Sequence, residues 1–170
     1  MSVKIAFTGP ESTGKSTISK ALAKFFKGNL VEEYAREYLN NLGRDYNLED
    51  LSLIAKKQLH LINNNKSSIS FFDTEMLVLK IWSEFKYKEC SEQISLGWKN
   101  QSITHYFLCD IDCPWEHDEL REHPEDRKEL FERYKKNLQQ ENKSFTILSG
   151  DIKEREDKAK IIIAKHLEKQ

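Results

Sequence analysis

The sequence predicts an α/β fold in which a five-stranded parallel sheet is flanked by helices on both faces. Three observations predict it. Short apolar runs recur at residues 3–7, 30–31, 69–72, 103–109 and 145–148. Longer segments with apolar residues at helical spacing separate them, and strands alternating with helices build parallel sheets. Each run also ends on polar or acidic residues, where open sheets of this kind bind ligands.

The first strand, carried by Val3, Ile5, Ala6 and Phe7, runs into Gly9-Pro10-Glu11-Ser12-Thr13-Gly14-Lys15-Ser16 and Thr17. This segment matches the Walker A phosphate loop. Its glycines let the backbone curl so that N–H groups point at phosphate oxygens, Lys15 adds charge near the β and γ phosphates, and the Ser16 hydroxyl can hold Mg²⁺. Ile18, Ala21, Leu22, Phe25 and Phe26 mark the helix that follows, over residues 17–27. Its N-terminus lends unpaired N–H groups and a partial positive charge to a bound phosphate. Strand, loop and helix in this order predict a P-loop NTPase fold that binds ATP with Mg²⁺.

Leu30 and Val31 form the second strand, followed by Glu32, Glu33 and a helix over residues 34–42 that Gly43 stops. Asn47, with Asp50 three residues on, caps a longer helix bearing Leu51, Ile54, Ala55, Leu59 and Ile62. The third strand leads into Asp73-Thr74-Glu75 and a helix whose buried face is Leu77, Val78, Ile81, Trp82 and Phe85. Residues 89–98 are helical, and the fourth strand is bounded by Asp110. Residues 112–127 are charged and proline-flanked, without a clean period, and read as an exposed, mobile lid with short helical parts. A helix over 129–140, a fifth strand ending at Ser149-Gly150, and a final helix capped by Asp151 with Glu154 complete the chain. The expectation is one domain over residues 1–170.

Asp73, at the end of an apolar strand, stands where a carboxylate holds Mg²⁺ directly or through water; the alternative is an N-cap for the next helix. Ser16 and Asp73 are thus the metal candidates, and Glu75 shares that task or lies on the helix surface. Glu33 is the candidate general base, because a small-molecule kinase needs a carboxylate to deprotonate the attacking hydroxyl. Strand alternation sends Glu32 to the opposite side, and spacing alone leaves open which of the two faces the site. Arg36, one helical turn on, binds substrate, neutralises Glu33 or lies on the surface. Arg121 and Arg127 can close with the lid over the charge that phosphoryl transfer spreads on equatorial oxygens, or pair with neighbouring acids. Tyr34 and Trp115 are aromatic candidates for substrate contact or packing. Cys109, Cys113, His117 and His123 do not match common zinc spacings, and Cys109 reads as core.

The 170 residues are 32% charged yet carry a net charge of only −1, so no basic field exists to hold nucleic acid. Three cysteines, without a signal peptide or a bilayer-spanning run, suit a reducing cytoplasm and no membrane association. The expected partner is a small-molecule substrate, and a homo-oligomer is compatible with the sequence.

The chain resembles the ribosylnicotinamide kinase domain of NadR-type proteins, a P-loop small-molecule kinase group with AAA-type ATPases among its relatives, and more distantly the deoxynucleoside kinases. The resemblance rests on residues 7–17, on Glu33-Tyr34-Ala35-Arg36-Glu37-Tyr38, on Phe72-Asp73-Thr74-Glu75, and on Pro114-Trp115 followed by Asp118 and Leu120-Arg121. It implies a nucleoside-kinase-like fold with a lid, and phosphorylation of the 5′-hydroxyl of ribosylnicotinamide to nicotinamide mononucleotide. Two departures stand out: Asp118-Glu119 where the family usually shows Asp-Gly, and Glu75 where aspartate is common. No adenylyltransferase or DNA-binding segment is expected in these residues, so neither activity is carried over. The alternatives are a kinase for deoxynucleosides or another metabolite, and a nucleotide-dependent ATPase or switch acting on a protein.

Overall fold

A computed structural model of the chain describes residues 2–169. Its five strands are β1 (Val3–Thr8), β2 (Asn29–Val31), β3 (Ile69–Phe72), β4 (His105–Cys109) and β5 (Phe145–Leu148). All pair in parallel, in the order β2-β3-β1-β4-β5. Between them run α1 (Lys15–Phe26), α2 (Tyr34–Asn40), α3 (Leu48–Asn63), α4 (Met76–Tyr87), α5 (Glu92–Asn100), α6 (Arg127–Gln140) and α7 (Ile152–Glu168).

Side-chain alternation along β1 divides the core in two. Val3, Ile5 and Phe7 face α1 and α7, joining Ile18, Leu22, Phe71, Phe107, Ala159 and Ile163 in one fully buried cluster. Ala6 faces the other way, into a cluster with Phe72, Tyr106 and Leu108 that α3 to α6 cover. Burying side chains such as Phe7 or Phe107 contributes on the order of 2–3 kcal/mol each. The chain leaves neighbouring strands β1 and β3 toward opposite faces, to α1 and to α4, and this opens a crevice at their carboxyl ends.

Both expected capping boxes form: Asn47 with Asp50 starts α3, and Asp151 with Glu154 starts α7. Around the lid the structure differs from the sequence reading in two ways. Helix α6 begins at Arg127, so that residue roots a helix rather than ending the lid. Residues 112–126 contain no helix, only a turn at 119–120. Pro114 and Pro124 lack N–H donors, and the amides of Glu116, Glu122 and His123 donate to the phosphate loop instead of to a helical ladder.

Candidate functional site

Two glycines shape the phosphate loop. Gly9 has φ +130°, and a Cβ there would come within 2.9 Å of the Cys109 carbonyl oxygen on β4. Gly14, with φ +80°, is the left-handed N-cap of α1. Between them Thr13 Oγ1 donates to the Pro10 carbonyl at 2.8 Å. Lys15 folds back over the loop, its Nζ 2.9 Å from the Gly9 oxygen and 2.6 Å from the Pro10 oxygen. The ammonium therefore sits over the mouth of the loop at the start of a helix, where partial positive charge already favours an anion.

Asp73, where β3 ends, is 5% exposed, and its Oδ1 is buried without a hydrogen-bond partner. Burial pushes its carboxyl up to about 6, against the pull of the Ser16 hydroxyl and the Lys15 ammonium. An orphaned carboxylate oxygen near a phosphate-loop hydroxyl is a donor set that would suit a divalent cation. Asp73 does not cap the next helix. Glu75 does, accepting from the Leu77 amide at 2.7 Å while Thr8 Oγ1 and Gln101 Nε2 donate to it at 2.8 and 2.5 Å. Fully buried and raised in pKa by that burial, Glu75 ties β1 to α4 and does not lie on the helix surface, its oxygens taken up by these three donors.

Glu32 and Glu33 part as strand geometry requires. Glu32 turns outward to Lys20 at 3.1 Å. Glu33 lines a cavity of about 280 Å³ that starts at residues 9–17 and runs between α2, α4, α6 and the lid. The chamber beyond the loop is walled by Leu39, Val78, Ile81, Trp82, Phe85 and Tyr134. Three of these, Val78, Trp82 and Phe85, lie on the face of α4 whose spacing suggested core; they are only partly buried because the helix borders a cavity there.

The lid closes this cavity through both backbone and side chains. Glu11 accepts the Glu122 and His123 amides at 3.0 and 3.2 Å, and burial raises its pKa against those bonds. The Ser12 hydroxyl accepts from the Glu116 amide at 2.8 Å and lies 3.4 Å from Arg121, which lines the cavity. Arg36 pairs with Asp118 at 3.1 Å. On the α4 side, Glu122 accepts from Lys86 at 2.8 Å and from the Tyr46 hydroxyl at 2.6 Å, and Trp82 Nε1 donates to that hydroxyl.

Four candidates are placed apart from the chamber: Arg127, Trp115, Tyr34 and Asp73, the last bordering only a second cavity. Arg127 spends its guanidinium on the carbonyls of Ser12, Ile111 and Cys113 at 3.1, 2.7 and 2.7 Å. Trp115 is outside the chamber lining, with Arg127 6.0 Å from its ring centre. Tyr34 borders that second, more polar cavity, which includes Ser16, Lys20, Glu33 and Asp73. Sequence reasoning missed Arg155, which is 3% exposed and bonded to the phosphate loop. The signal was present: Arg155, Ala159 and Ile163 fall on one stripe of α7, so a charge occupies a buried helical position.

A family model described as an AAA domain matches residues 4–155. Among solved structures, the NadR protein in complex with NR is similar at a TM-score of 0.75 and 21% identity, covering 88% of this chain and 44% of that one. The chain thus spans less than half of that protein. A deoxyadenosine kinase from M. mycoides with products dCMP and a flexible dCDP bound gives 0.67 at 16% identity, covering 96% and 100%. Thymidylate kinase from Ehrlichia chaffeensis gives 0.68 at 14%, covering 95% and 98%. No curated protein matches the chain. At these identities the likeness is one of fold: a P-loop nucleoside-kinase architecture.

Proposed function

The chain belongs to the AAA domain family, whose model spans residues 4–155, and from that footing we propose that it is an ATP- and Mg²⁺-dependent small-molecule kinase. One observation carries the proposal. The phosphate loop, Glu33 and Arg121 border a single cavity whose far end is an apolar, aromatic chamber under a lid. A nucleotide switch needs the loop; a transferase also needs a room for the acceptor beside a carboxylate.

In this reading the loop amides and Lys15 hold the β and γ phosphates, and Glu33 takes the proton from the acceptor hydroxyl as it attacks. Arg121 offers charge to the equatorial oxygens, while Arg127, committed to three carbonyls, keeps the lid root against the loop. Ser16 and Asp73 would hold Mg²⁺, which neutralises phosphate charge when bound. Lid closure excludes water that would otherwise compete with the acceptor.

The acceptor we infer is ribosylnicotinamide, on the strength of the motif resemblance and of the aromatic walls, which suit a cationic ring. Those walls are Trp82, Phe85 and Tyr134 rather than Tyr34 and Trp115. A neutral deoxynucleoside is the second reading, favoured by one feature: most of the chamber wall, Leu39, Val78, Ile81, Trp82 and Phe85, carries no charge. A phosphoryl-transfer screen with ribosylnicotinamide, deoxynucleosides, simple alcohols and a no-acceptor control decides. Formation of nicotinamide mononucleotide is the expected result. Turnover only of deoxynucleosides would replace the acceptor and keep the class. Hydrolysis indifferent to every metabolite and stimulated by a protein would replace the class.

A further inference from the structure

The carbonyls of the phosphate loop are gripped from outside the cavity. Arg155, near the start of α7, donates from Nη1 to the Thr13 oxygen at 2.7 Å and from Nε to the Gly150 oxygen at 2.9 Å. Its Nη2 reaches the Asp110 oxygen at 3.2 Å and the Asp112 carboxylate. One planar guanidinium therefore joins the phosphate loop, the lid root after β4 and the loop after β5. Only a fork of fixed N–H directions can serve these acceptors together, and a lysine ammonium offers no such fork.

The grip on Thr13 has a consequence for the peptide that follows. The backbone here is trans, so the Thr13 carbonyl and the Gly14 N–H lie in one plane and point in opposite directions. A carbonyl drawn outward to Arg155 turns the Gly14 N–H toward the cavity that residues 9–17 line. Gly14, at φ +80°, is free to swivel without such a hold, since glycine tolerates either sign of φ.

We propose that Arg155 is a positioning residue for phosphate binding: by holding the Thr13 carbonyl outward, it presets the Gly14 amide for the triphosphate and fixes the loop to the root of the lid. The proposal rests on the nucleotide-binding reading above. Its competitor is a guanidinium that merely packs α7 against the sheet. A packing role predicts lower stability with no preference among nucleotides; a positioning role predicts a loss that depends on the phosphates.

The test is displacement of a fluorescent ATP analogue from the full chain by ATP and by AMP, in Mg²⁺, for the wild type, Arg155→Gln and Arg155→Lys. A lost hydrogen bond to a charged donor weakens binding roughly tenfold or more. We expect that loss for ATP in both variants, a much smaller one for AMP, and partial recovery on adding dilute guanidinium but not sodium chloride. ATP affinity within twofold of wild type in a folded variant, or equal losses for ATP and AMP, would overturn the proposal. Should Arg155→Gln fail to fold, Arg155→Lys decides by the same criteria. A wild type that binds no ATP would instead sink the nucleotide reading, before any variant is compared.

Discussion

The floor and the roof of the cavity are fastened by different kinds of bond. The phosphate loop is held by left-handed glycines, by the near contact of Gly9 with Cys109, and by a guanidinium that is 3% exposed. The lid is held on its acceptor side by side-chain pairs that water reaches, Arg36 with Asp118 and Lys86 with Glu122. Exposed pairs of this kind contribute about 1 kcal/mol or less each. On the proposed kinase reading, a cradle that must not move and a cover that must open for every turnover use interactions matched to those tasks.

The largest effect that can sharpen this contrast belongs to the floor. Lys15→Ala should lower kcat/KM on the order of a thousandfold, because it removes a preorganised charge at the phosphates. Retained activity, measured by product formation from ATP, would contradict the site. Next comes Glu33→Gln, with turnover down roughly a hundredfold and ATP affinity nearly intact. Its neighbour supplies the control: Glu32, paired outward with Lys20, should tolerate Glu32→Gln without change in kcat. Equal losses in the two variants would remove the distinction that strand geometry draws between them.

Asp73 sets function against stability. Its pKa, about 6 in the fold against 3.8 as an isolated side chain, means that the native state holds a proton more tightly than the unfolded chain between those values. Metal-free stability should therefore fall as pH rises through about 4 to 6, by about 3 kcal/mol in total. Asp73→Asn should flatten that slope and raise Tm in chelator at pH 7, while cutting Mg²⁺-dependent turnover by tens-fold. Thermal melts with and without Mg²⁺ check both signs. A variant less stable than wild type in chelator at pH 7 would show that the buried oxygen costs nothing.

The floor was also the more legible half in the sequence. A local pattern, apolar strand then glycine loop then amphipathic helix, determines its shape, and residues 3–27 carry all of it. The capping boxes of α3 and α7 were equally local. What escaped was long-range. Arg155 reaches Thr13 across 142 residues, and no spacing rule connects them. The helical period marked Val78, Trp82 and Phe85 as apolar and inward, but a cavity wall and a core share that period. In the lid, acids and arginines alternate without period, so its conformation depends on partners in Glu11, Arg36, Tyr46 and Lys86 that only the folded chain assembles.

The smallest effect tests the roof. Glu122 contributes to it twice, its amide donating to Glu11 and its carboxylate accepting from Lys86 and Tyr46. Burial works against that carboxylate, yet the bonds from Lys86 and Tyr46 prevail and lower its pKa. Substitution removes only the side-chain half, because the amide remains whatever the residue. Glu122→Gln and Lys86→Met should each raise the acceptor KM about threefold, consistent with a pair worth under about 1 kcal/mol, and leave the KM for ATP unchanged. The double variant should be little worse than either single one, since both delete the same pair. Additive losses would mean that Lys86 and Glu122 act separately. A matching rise in the KM for ATP would mean that the clasp supports the phosphate loop as well, so that floor and roof are one device rather than two.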